Sequence, residues 1–172
     1  MNYFVIQVKT KNEEKYISLA KQQIAGNDVQ LVWPRRKLIV RKKGAGKESL
    51  SPIFPGYVFV ETDEISSNLY WIFKKTPGFL RFLKNNHNIV PVNICDKSLL
   101  AHFLSFGEIV DKSTVYFDEN KRIRVVEGPM KGLEGKIIRV DRRKKRAKVK
   151  LSLYEKSFSV DFGFELLQIE KD

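Results

Sequence analysis

Apolar positions along the chain change their period near residue 108, and that change is the first sign of how the molecule is organised. Before it, short apolar runs alternate with helical patterns. Tyr3 to Val8 is an aromatic and β-branched run that predicts a buried strand. Tyr16, Ile17, Ala20 and Ile24 recur at helical spacing, with Thr10-Lys11-Asn12-Glu13 matching a capping box ahead of them and Gly26-Asn27 as the stop. Val29 to Trp33 predicts a second strand. Gly44-Ala45-Gly46 suits a hairpin tip, and Tyr57-Val58-Phe59-Val60 is a clear strand. Leu69, Ile72 and Phe73 give a second amphipathic helix that Pro77-Gly78 ends. Phe79 to Leu83 predicts a further strand. A third helix is expected to begin near Asp96 with Leu99, Leu100, Phe103 and Leu104 inward, and Gly107 closes the unit. The order is β-α-β-β-α-β-α, an α+β arrangement of an antiparallel sheet flanked by helices.

Regular patterns fade between Glu108 and Asn120, and alternation at period two takes over. It runs through Arg122-Ile123-Arg124-Val125, Lys136 to Val140, Ala147 to Leu153 and Phe158 to Phe162. Short strands joined by tight turns predict a small barrel, because closing the sheet removes exposed strand edges. The domain break is expected between Glu108 and Glu119.

Charge adds a partner class. The 172 residues carry 32 basic and 20 acidic side chains, a formal net charge of +12, which favours a polyanionic partner without saying where it binds. Cys95 is the only cysteine, so no intramolecular disulfide or thiolate cluster forms, and a structural zinc is not expected. The opening residues lack the layout of a signal peptide and no apolar run approaches a membrane span, so an intracellular, cytoplasmic setting is expected.

Two motifs narrow the field. Gly128-Pro129-Met130-Lys131-Gly132-Leu133-Glu134-Gly135 follows Ile123 and Val125 and leads directly into Lys136-Ile137-Ile138-Arg139-Val140. It resembles the KOW motif. Phe54-Pro55-Gly56-Tyr57-Val58-Phe59-Val60 turns the chain through Pro-Gly into an aromatic strand. Together with Tyr3-Phe4-Val5-Ile6 at the start and Lys75-Thr76-Pro77-Gly78 at a helix exit, these segments resemble the NusG family of transcription elongation and antitermination factors over nearly the whole chain.

That resemblance implies an NGN domain over residues 1–108, a linker over 109–119 and a five-stranded KOW β-barrel over 120–172. It implies docking on the clamp helices of RNA polymerase through an apolar surface carrying Phe54, Tyr57 and Phe59. It places Lys9, Lys11, Lys74, Lys75 and Thr76 near non-template DNA, with Thr76 the candidate for reading a base edge. Arg35, Arg36, Arg41, Lys42 and Lys43, on the cationic segment around the hairpin tip, would add phosphate contacts without sequence specificity. In the barrel, Arg142, Arg143, Lys144, Lys145, Arg146, Lys148 and Lys150 form the densest positive patch of the chain and are the expected RNA-binding surface, with an RNA hairpin one possible target. Tyr154 stands where the family presents an aromatic to ribosomal protein S10 or to Rho. The basic barrel points to a specialised paralogue similar to LoaP or RfaH, with a general housekeeping factor and a ribosomal-type KOW RNA-binding protein as the alternatives. Alternation from Arg122 to Phe162 favours strands there over an RfaH-like helical form.

No catalysis, cofactor or metal is expected, and a monomer is. Gly44-Ala45-Gly46-Lys47 hints at a phosphate loop, but Arg41 stands in place of its first glycine and Glu48 in place of its hydroxyl. Cys95, His87 and His102 lack the oxyanion turn and orienting carboxylate that a nucleophile and base would need.

Overall fold

The structure is a computed structural model that describes residues 1–168; the last four positions of the expected barrel segment lie outside the described residues. In chain order the elements are β1 (Asn2–Val8), α1 (Glu13–Ile24), β2 (Gln30–Val32), β3 (Arg35–Lys42), β4 (Ala45–Pro52), β5 (Tyr57–Thr62), α2 (Ser67–Lys75) and β6 (Phe79–Phe82). There follow β7 (Lys84–Asn85), β8 (Asn88–Ile89), α3 (Ile94–Leu104), β9 (Ile109–Val110), β10 (Ser113–Phe117), β11 (Ile123–Glu127), β12 (Ile137–Asp141), β13 (Arg146–Leu153) and β14 (Lys156–Leu166). They divide into two compact units, Met1–Trp33 with Phe54–Leu99, and Pro34–Ile53 with Leu100–Asp172.

The first unit is built on an antiparallel sheet in the order β2-β5-β1-β6. Register sets Phe4 opposite Val60 and Ile6 opposite Val58. Strand alternation therefore sends these four to one face, where Tyr16, Ile17, Ala20 and Ile24 of α1 and Leu69 and Phe73 of α2 complete the core. Burying each such side chain contributes roughly 1.5–3 kcal/mol, so a one-residue slip of β1 against β5 would forfeit the whole face. The Tyr16 hydroxyl donates to the Phe73 carbonyl at 2.9 Å, tying the two helices, and burial pushes its phenol pKa upward.

The start of α1 differs from the sequence expectation. Asn12 is the cap residue and makes no side-chain cap bond, and Lys11 takes a φ of +72°. Glu13 does not reach back to close a capping box; it is buried, and its Oε1 accepts from the Gly56 N–H at 2.8 Å. That donor belongs to the Pro-Gly turn before β5, and an unpaired buried N–H there would cost more than an open helix end facing water.

In the second unit β3 and β4 pair as a hairpin, with β9 adding in parallel to β3. The hairpin turns on Lys43 and Gly44, both at positive φ, which matches the twist of the flanking strands. The remaining strands form a five-stranded sheet in the order β11-β10-β14-β13-β12, lined by Val115, Val125, Val149, Leu151, Val160 and Phe162. Its first strand, β10, lies in the stretch read from sequence as linker. Ser113 is fully buried at the head of that strand, and a polar residue at a core position hides the alternation. The KOW-like loop explains the serine: Ser113 Oγ accepts from the Met130 N–H at 3.0 Å. At Gly128, which has a φ of +105°, an added Cβ would sit 2.6 Å from Ser113 Cα. Only glycine fits there.

Candidate polymerase and nucleic-acid interfaces

The aromatics expected on a docking surface are interior. Phe54 is 1% exposed, Tyr57 3% and Phe59 0%, and Phe54 meets Phe59 edge-on at 5.8 Å. Register explains Tyr57 and Phe59: they alternate with Val58 and Val60, and Phe59 pairs directly with Val5, so they belong to the second face of the sheet. Alternation shows which face an aromatic takes but carries no information about whether that face meets water, and the sequence therefore could not tell docking surface from core.

Of the residues read as DNA contacts, Lys9, Lys11, Lys74 and Lys75 are exposed, the first two just ahead of α1 and the others at the end of α2. Thr76 cannot read a base from where it sits. It is 1% exposed and caps α2, its hydroxyl donating to the Ile72 carbonyl at 2.7 Å while its N–H reaches Ile72 and Phe73. A threonine ahead of Pro-Gly serves the helix end first, because the last carbonyls need a donor.

What reaches water at this end of α2 is Trp71, 51% exposed, which the sequence reading passed over. Tyr70 meets it edge-on at 5.3 Å, and the Lys74 and Lys75 ammonium groups lie 5.0 and 5.8 Å from its ring centroid. Helical spacing is the signal that could have found this group, since Trp71, Lys74 and Lys75 stand three and four residues apart on one face.

Along the hairpin, Arg41, Lys42 and Lys43 are exposed near the tip, whereas Arg35 and Arg36 are partly buried at its base. Arg36 is not offered to a phosphate: its Nε donates to the Asp161 carbonyl and its Nη1 to the Pro52 carbonyl. Burial lowers its pKa to about 10, only partly offset by Asp161.

The barrel cations divide in the same way. Arg142 is held at its base, with its guanidinium 3.7 Å from the Phe117 ring centroid and Nη2 donating to the Lys121 carbonyl at 3.1 Å. Arg142 is nonetheless exposed, as are Arg143, Lys144, Lys145 and Lys150. Asp141 organises the turn by accepting from the Lys144 N–H at 2.9 Å, and that bond holds its carboxyl below the usual range. Arg146 and Lys148 share the outer face of β13, since Ala147 between them and Val149 after them are buried. Register places Arg139 on one side of Lys148 and Asp161 on the other, 3.9 Å from its ammonium. Arg139, Asp141, Lys144, Arg146, Lys148 and Asp161 line an open cavity of about 190 Å³. Arg146 also donates through Nη2 to the Ile39 carbonyl at 2.6 Å. Tyr154 sits with Glu155 in the two-residue turn before β14, both at positive φ, and is partly exposed.

The residues set aside for catalysis stay apart. Cys95 is exposed, His87 is exposed on the β7–β8 turn, and His102 Nε2 bonds the Pro129 carbonyl at 2.6 Å. Among the described residues no group of three or more His, Cys, Asp and Glu could hold a metal ion. No helix among them is long and apolar enough to cross a membrane.

An α+β unit with solvent-facing lysines is followed in the chain by a cationic five-stranded sheet of the KOW barrel type, and among the described residues Cys95, His87 and His102 are not brought together. A family model described as "Transcription termination factor nusG" matches residues 1–99, and a KOW motif model matches residues 119–150. The chain belongs to the NusG family. It is similar to the transcription termination/antitermination protein NusG of Borreliella burgdorferi, at 23% identity over 96% of this chain and 97% of that one. The NusG of Helicobacter pylori strain J99 is 22% identical over 99% and 98%, and that of Streptococcus pyogenes 26% identical over 83% and 82%. The fold is also similar to that of Thermotoga maritima NusG, with a TM-score of 0.56 over 94% of this chain and 93% of that one at 19% identity.

Proposed function

We propose that this protein is a bacterial transcription elongation and antitermination factor that binds RNA polymerase through its NGN domain and RNA or a protein partner through its KOW barrel. The observation that carries the reading is the order of the two family matches on one chain, with relatives named as transcription termination/antitermination proteins aligning from end to end. Polymerase docking is assigned to Tyr57 and Phe59 on the second sheet face and to Phe54, whose ring packs edge-on against Phe59. Contact through them requires that face to be open when polymerase is bound. The exposed barrel cations Arg143, Lys144, Lys145 and Lys150 are assigned to RNA phosphates, and Lys9, Lys11, Lys74 and Lys75 to the non-template strand.

Density of charge on the β12–β13 turn supports a specialised paralogue acting on chosen operons in the cytoplasm. A general factor is the second reading, favoured by the end-to-end alignment with relatives carrying the general NusG name. Chromatin occupancy separates the two, because binding at a few long operons marks the specialist and binding everywhere the general factor. Affinity capture tests the shared core. Polymerase is expected to co-purify, and recovery with ribosomal subunits alone would remove the reading. Phe54→Leu keeps an apolar side chain at a buried site; if that variant folds and binds polymerase as tightly as the parent, the docking assignment is wrong.

A further inference from the structure

We infer that Trp71 is a stacking platform for an unstacked base of single-stranded DNA, with Lys74 and Lys75 holding the phosphates on either side of that base. A lone exposed aromatic would carry no such reading, but three observations converge at this end of α2. The first is geometry: Trp71 is half exposed and both ammonium groups stand within 6 Å of its ring centroid. The second is bracing. Tyr70 stacks on Phe82 at 5.5 Å and 19° while meeting Trp71 edge-on, and the Lys74 ammonium bonds the Tyr70 hydroxyl at 3.3 Å, so the core fixes the group that fixes the indole. The third is charge. From Ile65 to Cys95 the chain contains no acidic residue, while Lys74, Lys75, Arg81 and Lys84 are all cationic.

An exposed π-face beside cations, in a segment free of carboxylates, matches what single strands require. Every base offers a face to stack, and the backbone offers a phosphate at each step. Duplex DNA does not fit, because its base faces are already covered by their neighbours. A protein partner is the weaker fit, since two ammonium groups beside one exposed ring, in a segment without carboxylates, select for a regularly charged ligand. With Thr76 consumed as the helix cap, the base contact at this end falls to the indole. Stacking is tolerant of sequence, so this contact holds a displaced base in place rather than choosing it.

The inference rests on the reading that this helix exit meets the non-template strand, and the experiment separates the two. Binding of a short single-stranded DNA oligonucleotide to the full chain is followed by tryptophan fluorescence and by anisotropy of the labelled strand. The parent is expected to show quenching. Trp71→Ala should weaken binding by roughly 5- to 150-fold, the range for losing one stacked base. Trp71→Phe should retain most of the affinity, and the quenching seen in the parent should be missing from the Trp33 emission that remains; a merely structural role would leave the parent's Trp71 emission unquenched by the strand. If Trp71→Ala binds like the parent while Lys74→Gln with Lys75→Gln weakens binding, the stacking inference falls and the DNA reading stands. If the parent binds no single-stranded DNA, both fall. Preference for RNA of the same sequence, or for duplex DNA, overturns the ligand named here.

Discussion

Gly128 allows the KOW-like loop to be tested as a piece of packing. Substitution by alanine brings two separable costs. The first is conformational: at a φ of +105° an L side chain is strained, at roughly 1–2 kcal/mol. The second is steric. The new Cβ would lie 2.6 Å from Ser113 Cα and 2.9 Å from Ser113 Cβ, so the serine backbone, not the end of a flexible side chain, must move. Ser113 is fully buried and holds the Met130 N–H, and displacing such a packed group costs typically 1–3 kcal/mol. Gly128→Ala is therefore expected to destabilise the barrel by about 2–5 kcal/mol, a large share of what a small domain possesses. Gly132→Ala supplies the control, because Gly132 has a φ of +82° but nothing within 4 Å of its Cβ position. It should show the conformational part alone. Since two compact units need not unfold together, amide hydrogen exchange on β10, β13 and β14 is the proper assay, rather than a single melting curve. Equal losses of protection in the two variants would refute the steric argument, and no loss in either would refute the left-handed backbone as well.

Three further outcomes follow from the same geometry. Arg36→Gln should raise exchange across β3 and β4 through loss of two charge-assisted bonds to carbonyls, each worth roughly 1.5–3 kcal/mol, and unchanged protection would show that Arg36 is not the staple described. The Asp118 carboxyl is depressed chiefly by the Arg122 N–H and then by Arg124, and that of Asp141 chiefly by the Lys144 N–H. Their stabilisation is thus present above the ordinary carboxylate range and lost as pH falls through the lowered folded values, so NMR titration midpoints at or above about 3.9 would contradict it. Neutralising Arg143, Lys144 and Lys145, which are exposed, should reduce the slope of log affinity against log salt for single-stranded RNA by about 2, at roughly 0.7 per lost phosphate contact; a constant slope would place RNA elsewhere.

Where period decides structure, the chain was legible before folding. β1, α1, β5, α2 and the barrel strands β11 to β14 lie where alternation or helical spacing puts them, because burial of one face dominates their energetics. The family's motifs were legible for a related reason: a turn such as Gly128–Gly135 is dictated by backbone geometry that few residues satisfy. Failures occurred where a polar side chain had to choose between local partners. Glu13 passed over its own helix for the Gly56 amide, Thr76 took the helix carbonyl instead of facing outward, and Ser113 went into the core to meet Met130.

The candidate interfaces divide along the same line. A cation's identity is written in the sequence, but whether its head is spent on a carbonyl, as in Arg36 and Arg142, depends on which backbone atoms the fold brings beside it. Long basic side chains lying against folded surface bury their stems and bring the head group to whatever acceptor is near. A charge run read from sequence therefore overstates the free cations. Here the reduction is selective: Arg36 and Arg146, partly buried on strands, and Arg142, at the first position of a turn, donate to carbonyls, whereas Arg41, Lys42 and Lys43 near one tip and Arg143, Lys144 and Lys145 in another stay exposed. Past the first residue of such a turn the backbone acceptors are already used in the turn itself, so charge placed at the tip remains available to a polyanion. By that reasoning the useful positive surface of a small barrel is set by its turns more than by its strands, and exposed arginine or lysine between paired strands counts as binding surface only where no carbonyl lies within its reach.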